Sequence, residues 1–412
     1  MSKTAEQRRV VVTGQGVVSP VGTGVDKFWT ALKKGESGIG PITYYEVTDD
    51  LRCKIAGEVH DFDVQKDVGN IDVVRADRFS QLAAKAAMEA VEQSGIADNL
   101  KKDGSRTACI IGSGSGGLTT LETGYRDLYR DKVMRTNPLT LLRTLGSSAA
   151  AHVSMMYNIT GPAFGVVSAC ATGSHAMGLV YQMIKYGAID AGVAGGSEAS
   201  LNWGAQRSWE ALFVLSPAGC FPFSKKRNGT ILSEGSGIMV LEDYEHAKAR
   251  GANILAEVMG FGMTADAGDM VHPKVEGAAG AMKLALEDAG LKPEDIDYIN
   301  AHGTATKTND VTETKAIKSV FGDAAKSVAI SSTKSMHGHM LGGGSLVEGA
   351  ACIKAIHDNF IPPTINLDEP DPDCDLDYTP NKGVEREVTY TMNNSLAFGG
   401  LNTVAIFGPA PK

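Results

Sequence analysis

The sequence predicts an α/β protein with a duplicated core. Three observations predict it. Strand-like and helix-like segments alternate along nearly the whole chain, the pattern of sheets covered by helices. Each half carries a strand, a small-residue turn and a helix rich in Ala and Gly: VVSAC–ATGS–HAMGLVYQMIKYG in the first, ISSTKS–MHGHMLGGG–SLVEGAACIKAIHDN in the second. Finally, 412 residues at 43% hydrophobic and 21% charged can bury such a core. The boundary falls near residue 252, giving halves 1–252 and 253–412. The Gly- and Pro-bearing stretches 215–237 and 359–374 read as internal loops.

The elements follow in order. RRVVVTG and TACIIGSG are strands, and RADRFSQLAAKAAMEAVEQSG is an amphipathic helix stopped by Gly95. GVVSAC and DAGVAGGSE are strands flanking the helix after Cys170. Beyond residue 252 come the strand ILAEVMGFGM, the helix VEGAAGAMKLALEDAG and the strand IDYINAHG. The helix VTETKAIKSVFG, the strand VAISST and the helix GSLVEGAACIKAIHDN follow. VTYTMNNS and TVAIFG close the chain as a strand pair.

The formal net charge of −9 argues against general nucleic-acid binding, which needs a basic footprint. MSKTAEQRRVVVTGQG has no apolar leader core, and no apolar run is long enough to span a bilayer, so a cytoplasmic protein is expected. The six cysteines (53, 109, 170, 220, 352 and 374) form no CxxC pair and read as buried apolar residues, Cys170 excepted. No zinc spacing is present, so no metal is expected.

Cys170 ends an apolar run and opens a helix among small residues. A helix N-terminus favours thiolate, and the unpaired N–H of Cys170 could stabilise an oxyanion. This context leaves both a nucleophile and a buried structural cysteine open. In NAHGTATKTND, His302 follows a strand, where α/β sheets bind ligands, and Thr304 and Thr306 could hold an amide-bearing arm. The plainer reading is a turn histidine with threonines capping the next helix, for which Asp310 is the more obvious cap. In SSTKSMHGHMLGGGS, His339 leads into a helix start, which biases it towards neutrality. Lys334 reads as one partner of a buried ion pair with Glu348 that could hold His339, and His337 as a solvated loop residue. In NNSLAFGGLN, Phe398 before two glycines could gate a pocket, or be a core Phe at a turn. Residues 112–117 contain GxGxxG, but no acidic residue ends a second strand about 20 residues on, which argues against a dinucleotide.

ACATGSHAMG, NAHGTATKTND, STKSMHGHMLGGG and NSLAFGGLN together resemble, in order, the motifs of the β-ketoacyl-acyl-carrier-protein synthases of the type I/II condensing-enzyme group. The chain looks most like a synthase II. The resemblance covers nearly the whole chain and implies the thiolase fold, two similar halves in five αβαβα layers, usually as a homodimer. It implies Cys170 as acyl-accepting nucleophile and His302 and His339 acting on a malonyl donor, with Lys334 beside them. Phe398 would be the gate, its N–H joining that of Cys170 in an oxyanion hole, and Thr304 and Thr306 would hold a pantetheine arm. No cofactor is needed, because decarboxylation supplies the carbanion. The partner implied is acyl carrier protein.

Several positions depart from the family's usual text. Leu396, Ala397 and Leu401 replace Phe, Gly and Thr near the gate. Phe221, Ser224, Asn228 and Thr230 alter the 221–230 loop, and TADAGDMVHP is unusual after Asp266. Ser115 stands where a bulky aliphatic often walls the acyl pocket. These changes predict specialised acyl selectivity. An alternative is a silent subunit of a heterodimer, but such subunits usually lack the cysteine; a thiolase would need a second cysteine at His339. For docking an acidic carrier, the candidate cations are Lys66, Arg75, Arg78, Arg130, Lys132 and Arg207.

Overall fold

A computed structural model describes residues 7–411. Ten strands carry the core: β1 (Val10–Ser19), β2 (Thr107–Gly112), β3 (Ala163–Phe164), β4 (Ala191–Glu198), β5 (Gly235–Asp243), β6 (Ala256–Ala265), β7 (Tyr298–Asn300), β8 (Ala329–Ser331), β9 (Thr391–Ala397) and β10 (Leu401–Gly408). They lie along one hydrogen-bonded path, β8-β7-β9-β10-β6-β1-β5-β4-β2-β3. The strand order is the same in both halves. In each, the third strand pairs parallel with the second and the second parallel with the fourth. The fourth then pairs antiparallel with the fifth, and the fifth with the first. Within the sheet the halves join at β1 and β6, with Val11 opposite Glu257 and Val12 opposite Ala256.

Helices complete the layers. α1 (Arg78–Ser94) and α2 (Ser148–Tyr157) cover the outer face of the first half. α3 (Thr172–Lys185) and α4 (Gly344–Asp358) pack on each other in the centre. α5 (Val275–Ala289) and α6 (Lys307–Phe321), which fall between α3 and α4 in the sequence, cover the outer face of the second half. The outer helices sit close for one reason. A Cβ on Gly14 or Gly16 would lie 1.9 Å from the carbonyls of Ala90 or Ala86, and one on Gly260 or Gly262 would meet those of Ala285 and Ala281 at 2.4 and 2.1 Å. Glycine pairs two apart on equivalent strands do the same work in each half. The predicted helix stop at Gly95 is a left-handed cap with φ 66°.

One element differs from expectation. GVVSAC is not a strand: β3 ends at Phe164, and Val167 is 67% exposed. β3 lies at the end of the sheet path, so its apolar residues have no second strand to cover them. Among the described residues no helix is long and apolar enough to cross a membrane.

Candidate active site

Cys170 sits in a 3-10 turn, Ala169–Ala171, that feeds α3. Ala169 holds φ 47°, a left-handed conformation uncommon for a residue with a Cβ. The turn is locked locally: the Ser168 N–H donates to Thr172 Oγ1 at 2.9 Å, and that hydroxyl donates to the Ala169 carbonyl at 2.8 Å. The small residues have a steric cause. A Cβ on Gly196 would lie 2.0 Å from the Gly342 carbonyl, so only glycine lets the second half's 341–343 turn reach this point.

That approach delivers His339. Its Nε2 lies 3.0 Å from Cys170 Sγ. The first half pins its backbone, since the His339 N–H donates to the Ile231 carbonyl at 2.7 Å and the Ser233 N–H donates to the His339 carbonyl at 3.0 Å. His302 stands edge-on to His339, ring centroids 5.5 Å apart. One donor atom from each of Cys170, His302 and His339 falls within 4.8 Å of the others. Lys334 Nζ is paired with the Glu348 carboxylate, as read from the sequence, and lies 3.5 Å from His302 Nδ1. The lysine therefore supports His302, whereas the sequence reading attached it to His339.

Burial sets the electrostatics. It pushes the Cys170 thiol up to about 12, although Lys334 and the backbone N–H of Phe398 pull the other way. The expectation that the helix terminus would favour thiolate is thus corrected: desolvation outweighs it, and the resting group is a thiol. The N–H groups of Phe398 and Cys170 both interact with the sulfur, so two donors converge there. Burial and the charge of Lys334 hold His302 and His339 well below the usual imidazole range, so both are neutral. Glu348 is raised to about 7 by the same burial, against the pull of Lys334.

A cavity of about 80 Å³ opens at the sulfur. Cys170, His302, His339, Thr304, Thr306 and Phe398 all line it. The Thr304 and Thr306 hydroxyls lie 3.0 Å apart. Phe398 stacks on Trp209, centroids 5.5 Å apart. The loop 266–273 docks on the gate: the Gly399 N–H donates to the Met270 carbonyl at 2.8 Å and the Asp266 N–H to the Gly400 carbonyl at 2.9 Å. Across Trp209 lies a larger groove of about 950 Å³, lined by Tyr45, Leu118, Leu121, Tyr125 and Trp203 among others.

Three further expectations are corrected. Ser115 does not line the cavity: its hydroxyl bonds to Glu198 and Ser200. Glu198 also takes the N–H groups of Gly114 (2.8 Å) and Ser115 (3.2 Å), so a carboxylate occupies the GxGxxG backbone that would cradle a phosphate. Asp310 does not cap α6. Thr306 does, accepting from the Asn309 N–H, while buried Asp310 accepts from the Phe223 N–H at 2.8 Å. Of the docking cations, Arg78 is paired with Glu234, Arg130 with Asp131, and Arg207 with Asp50 and Glu210.

His337 is the third: it is fully buried rather than solvated, its ring bonding to the Gly338 carbonyl and Thr333 Oγ1. Burial and Lys334 lower it to about 3 from 6.5. The unfolded chain takes up that proton below 6.5 and the folded one does not until about 3. This contribution is therefore intact above pH 6.5 and falls by about 1.4 kcal/mol per pH unit below it. His337→Gln should lose about 2 kcal/mol less than wild type between pH 7.5 and 5.0 in urea unfolding. Parallel pH dependences would refute the assignment.

The sequence reading missed Glu313. Its buried carboxylate accepts the N–H groups of His302 (2.8 Å) and Gly303 (2.9 Å) and the Asn394 amide (3.0 Å), fixing the His302 loop. The signal was available: Glu313 falls on the face of α6 that carries the buried Ala316 and Ile317.

Residues 7–247 match the beta-ketoacyl synthase N-terminal domain and residues 255–368 its C-terminal domain. The chain is 46% identical over 400 residues to nodulation protein E of Rhizobium leguminosarum bv. trifolii, covering 97% of this chain and 99% of the relative. It is 40% identical over 410 residues to 3-oxoacyl-[acyl-carrier-protein] synthase 2 of Staphylococcus aureus, covering 98% and 99%. The ishigamide ketosynthase/chain length factor structure superposes with TM-score 0.91 at 38% identity, covering 98% of this chain and all of that one. A type II polyketide ketosynthase (AntDE), solved with its acyl carrier protein, gives 0.90 at 33%, with the same coverage. Matched over both domain models, and by full-length relatives at 40% identity and above, the chain belongs to the β-ketoacyl synthase family.

Proposed function

We propose that this chain is a β-ketoacyl-acyl-carrier-protein synthase that joins a Cys170-bound acyl group to a malonyl thioester with loss of CO2. The observation that carries the reading is His339 Nε2 at 3.0 Å from a buried thiol. Neutral His339 takes the thiol proton at Nε2 as the sulfur attacks an acyl thioester, then gives it to the departing carrier sulfur, which leaves as a thiol and restores neutral His339. The N–H groups of Cys170 and Phe398 hold the oxyanion of the tetrahedral intermediate. A malonyl thioester then enters, with Thr304 and Thr306 along its arm. His302 and His339, both neutral, donate to its thioester oxygen as CO2 departs and the enolate forms. The enolate carbon attacks the acyl carbonyl, and the Cys170 sulfur leaves as a thiolate that takes one proton from solvent to restore the thiol. Lys334 is a positioning residue that keeps His302 neutral and oriented.

The selectivity is specialised. The Phe398–Trp209 stack leaves little room at the sulfur, so a long acyl chain must pass Trp209 into the larger groove. The altered gate residues Leu396 and Ala397 line the same cavity. The donor and acceptor are acyl carrier protein thioesters, and the compartment is the cytoplasm, in keeping with six free cysteines. A second, identical or homologous, subunit would cover exposed Phe164, Val167 and Met155 beside the end strand β3.

Purified enzyme offered carrier-bound acyl chains of graded length and unsaturation, with malonyl-carrier, should gain one acyl group on Cys170 by intact mass and elongate a restricted set. Elongation without an acyl-enzyme, or no adduct at all, rejects the mechanism. The latter would favour the silent-subunit alternative. A flat preference over ordinary saturated chains rejects the specialisation.

A further inference from the structure

Thr230 is a buried hydroxyl with nothing to bond. The residue is 2% exposed and lines the cavity at Cys170, yet its Oγ1 has no hydrogen-bond partner among the described residues. A buried hydroxyl left unpaired costs the fold stability, and valine would fill the same shape without that cost. The resemblance expects Phe at this position, so the hydroxyl is a departure from the family's usual text. An orphaned polar group on the wall of a substrate cavity points to a partner on the substrate.

Its backbone is fixed. The Thr230 N–H donates to the Val214 carbonyl at 2.7 Å, and its carbonyl accepts from the Ser216 N–H at 2.9 Å. Its two neighbours hold the two ends of the site. The Ile231 carbonyl accepts the His339 N–H at 2.7 Å, and the Gly229 N–H donates to the Ala305 carbonyl at 3.1 Å, between Thr304 and Thr306. Thr230 therefore stands between the histidine at the sulfur and the threonines along the arm. A turn of χ1 from one staggered position to another exchanges hydroxyl and methyl, so Oγ1 reaches the cavity without any backbone movement.

The chemistry of a malonyl thioester names what it would meet. The thioester oxygen goes to His302 and His339, and the arm to Thr304 and Thr306. The free carboxylate is left over. Among the described residues no Lys or Arg lines the cavity. Of the other donors on its wall, His272 and Thr308 are exposed, and the Asn309 amide donates to Asp310 at 3.1 Å. Asp269, at the exposed end, repels a carboxylate from there. A neutral donor also suits the step. A cation would stabilise the carboxylate strongly and so resist its loss as CO2, whereas a hydroxyl places it with less opposition.

We propose that the Thr230 hydroxyl donates to the free carboxylate of the malonyl donor and so selects carboxylated donors at this site. The proposal rests on the synthase reading above, which supplies the malonyl thioester.

The test uses the full-length enzyme with two variants. Thr230→Val keeps the shape and removes the hydroxyl; Thr230→Ser keeps the hydroxyl. In urea unfolding Thr230→Val should be at least as stable as wild type. It should raise KM for the malonyl donor about tenfold, the scale of one hydrogen bond to a charged group, and leave kcat no lower. Acylation of Cys170, read by intact mass, should not change, because the acyl donor has no carboxylate. Thr230→Ser should keep the wild-type KM. Calorimetry with pantetheine carrying malonyl or acetyl through an amide, which does not acylate the thiol, isolates the contact. Wild type should prefer the malonyl amide, and Thr230→Val should lose about tenfold of that preference. A wild type without the preference, or a Thr230→Val that retains it, overturns the proposal. So does a KM rise shared equally by malonyl and acyl donors, or a fall in kcat at constant KM. Wild type that neither gains an acyl group on Cys170 nor releases CO2 from a malonyl thioester overturns the synthase reading instead.

Discussion

Replacing Cys170 with alanine is expected to lower condensation by at least about three orders of magnitude and to abolish the acyl adduct. The cause is the single sulfur at the convergence of His339 Nε2 and the N–H groups of Phe398 and Cys170. The five other cysteines are buried elsewhere and supply no substitute. Thermal unfolding should barely change, because the side chain is small. In wild type, a thiol pushed up to about 12 should be alkylated by iodoacetamide about tenfold faster per pH unit from 7 to 9, with no plateau. A plateau near neutrality would mean a preformed thiolate. An adduct that survives in Cys170→Ala would put the nucleophile elsewhere.

The second large effect concerns Lys334. Lys334→Met leaves Glu348 buried without its counter-charge, and should destabilise the fold by about 3–5 kcal/mol. The double variant Lys334→Met, Glu348→Leu replaces the pair with apolar groups and should recover most of that loss. Activity should not return with stability. Lys334 is 3.5 Å from His302 Nδ1 and helps hold it neutral. Without the cation, the His302 pKa rises towards its ordinary value. The acid limb of kcat/KM should therefore move up in pH in the double variant, since a protonated His302 is lost to the neutral pool. A double variant with wild-type activity and an unmoved pH profile would reduce Lys334 to a structural role.

Much of the site could be read from the sequence because its chemistry is local. Cys170, His302, Lys334, His339 and Phe398 each sit in a short motif at a junction between elements, and all five meet around one point. The errors share a different cause. His337 and His339 are two residues apart and look alike in sequence. One is buried against Thr333 and the other aims at a thiol, because the chain turns at Gly338, φ 72°. Ser115 looked like a pocket wall because it stands next to the right strand. Its rotamer answers to Glu198, 83 residues away.

The sequence alone determined the alternation of strands and helices, the doubled strand–turn–helix unit and the residue types of the reaction, since these depend on periodicity and on side-chain chemistry. Only the tertiary structure decided which groups touch. Lys334 goes to His302, Glu313 clamps the His302 loop, and the Cys170 thiol is kept protonated against the pull of its helix. Those outcomes depend on burial and on distances between residues far apart in the chain. Desolvation grows with everything packed around a group, and no short stretch of sequence records that.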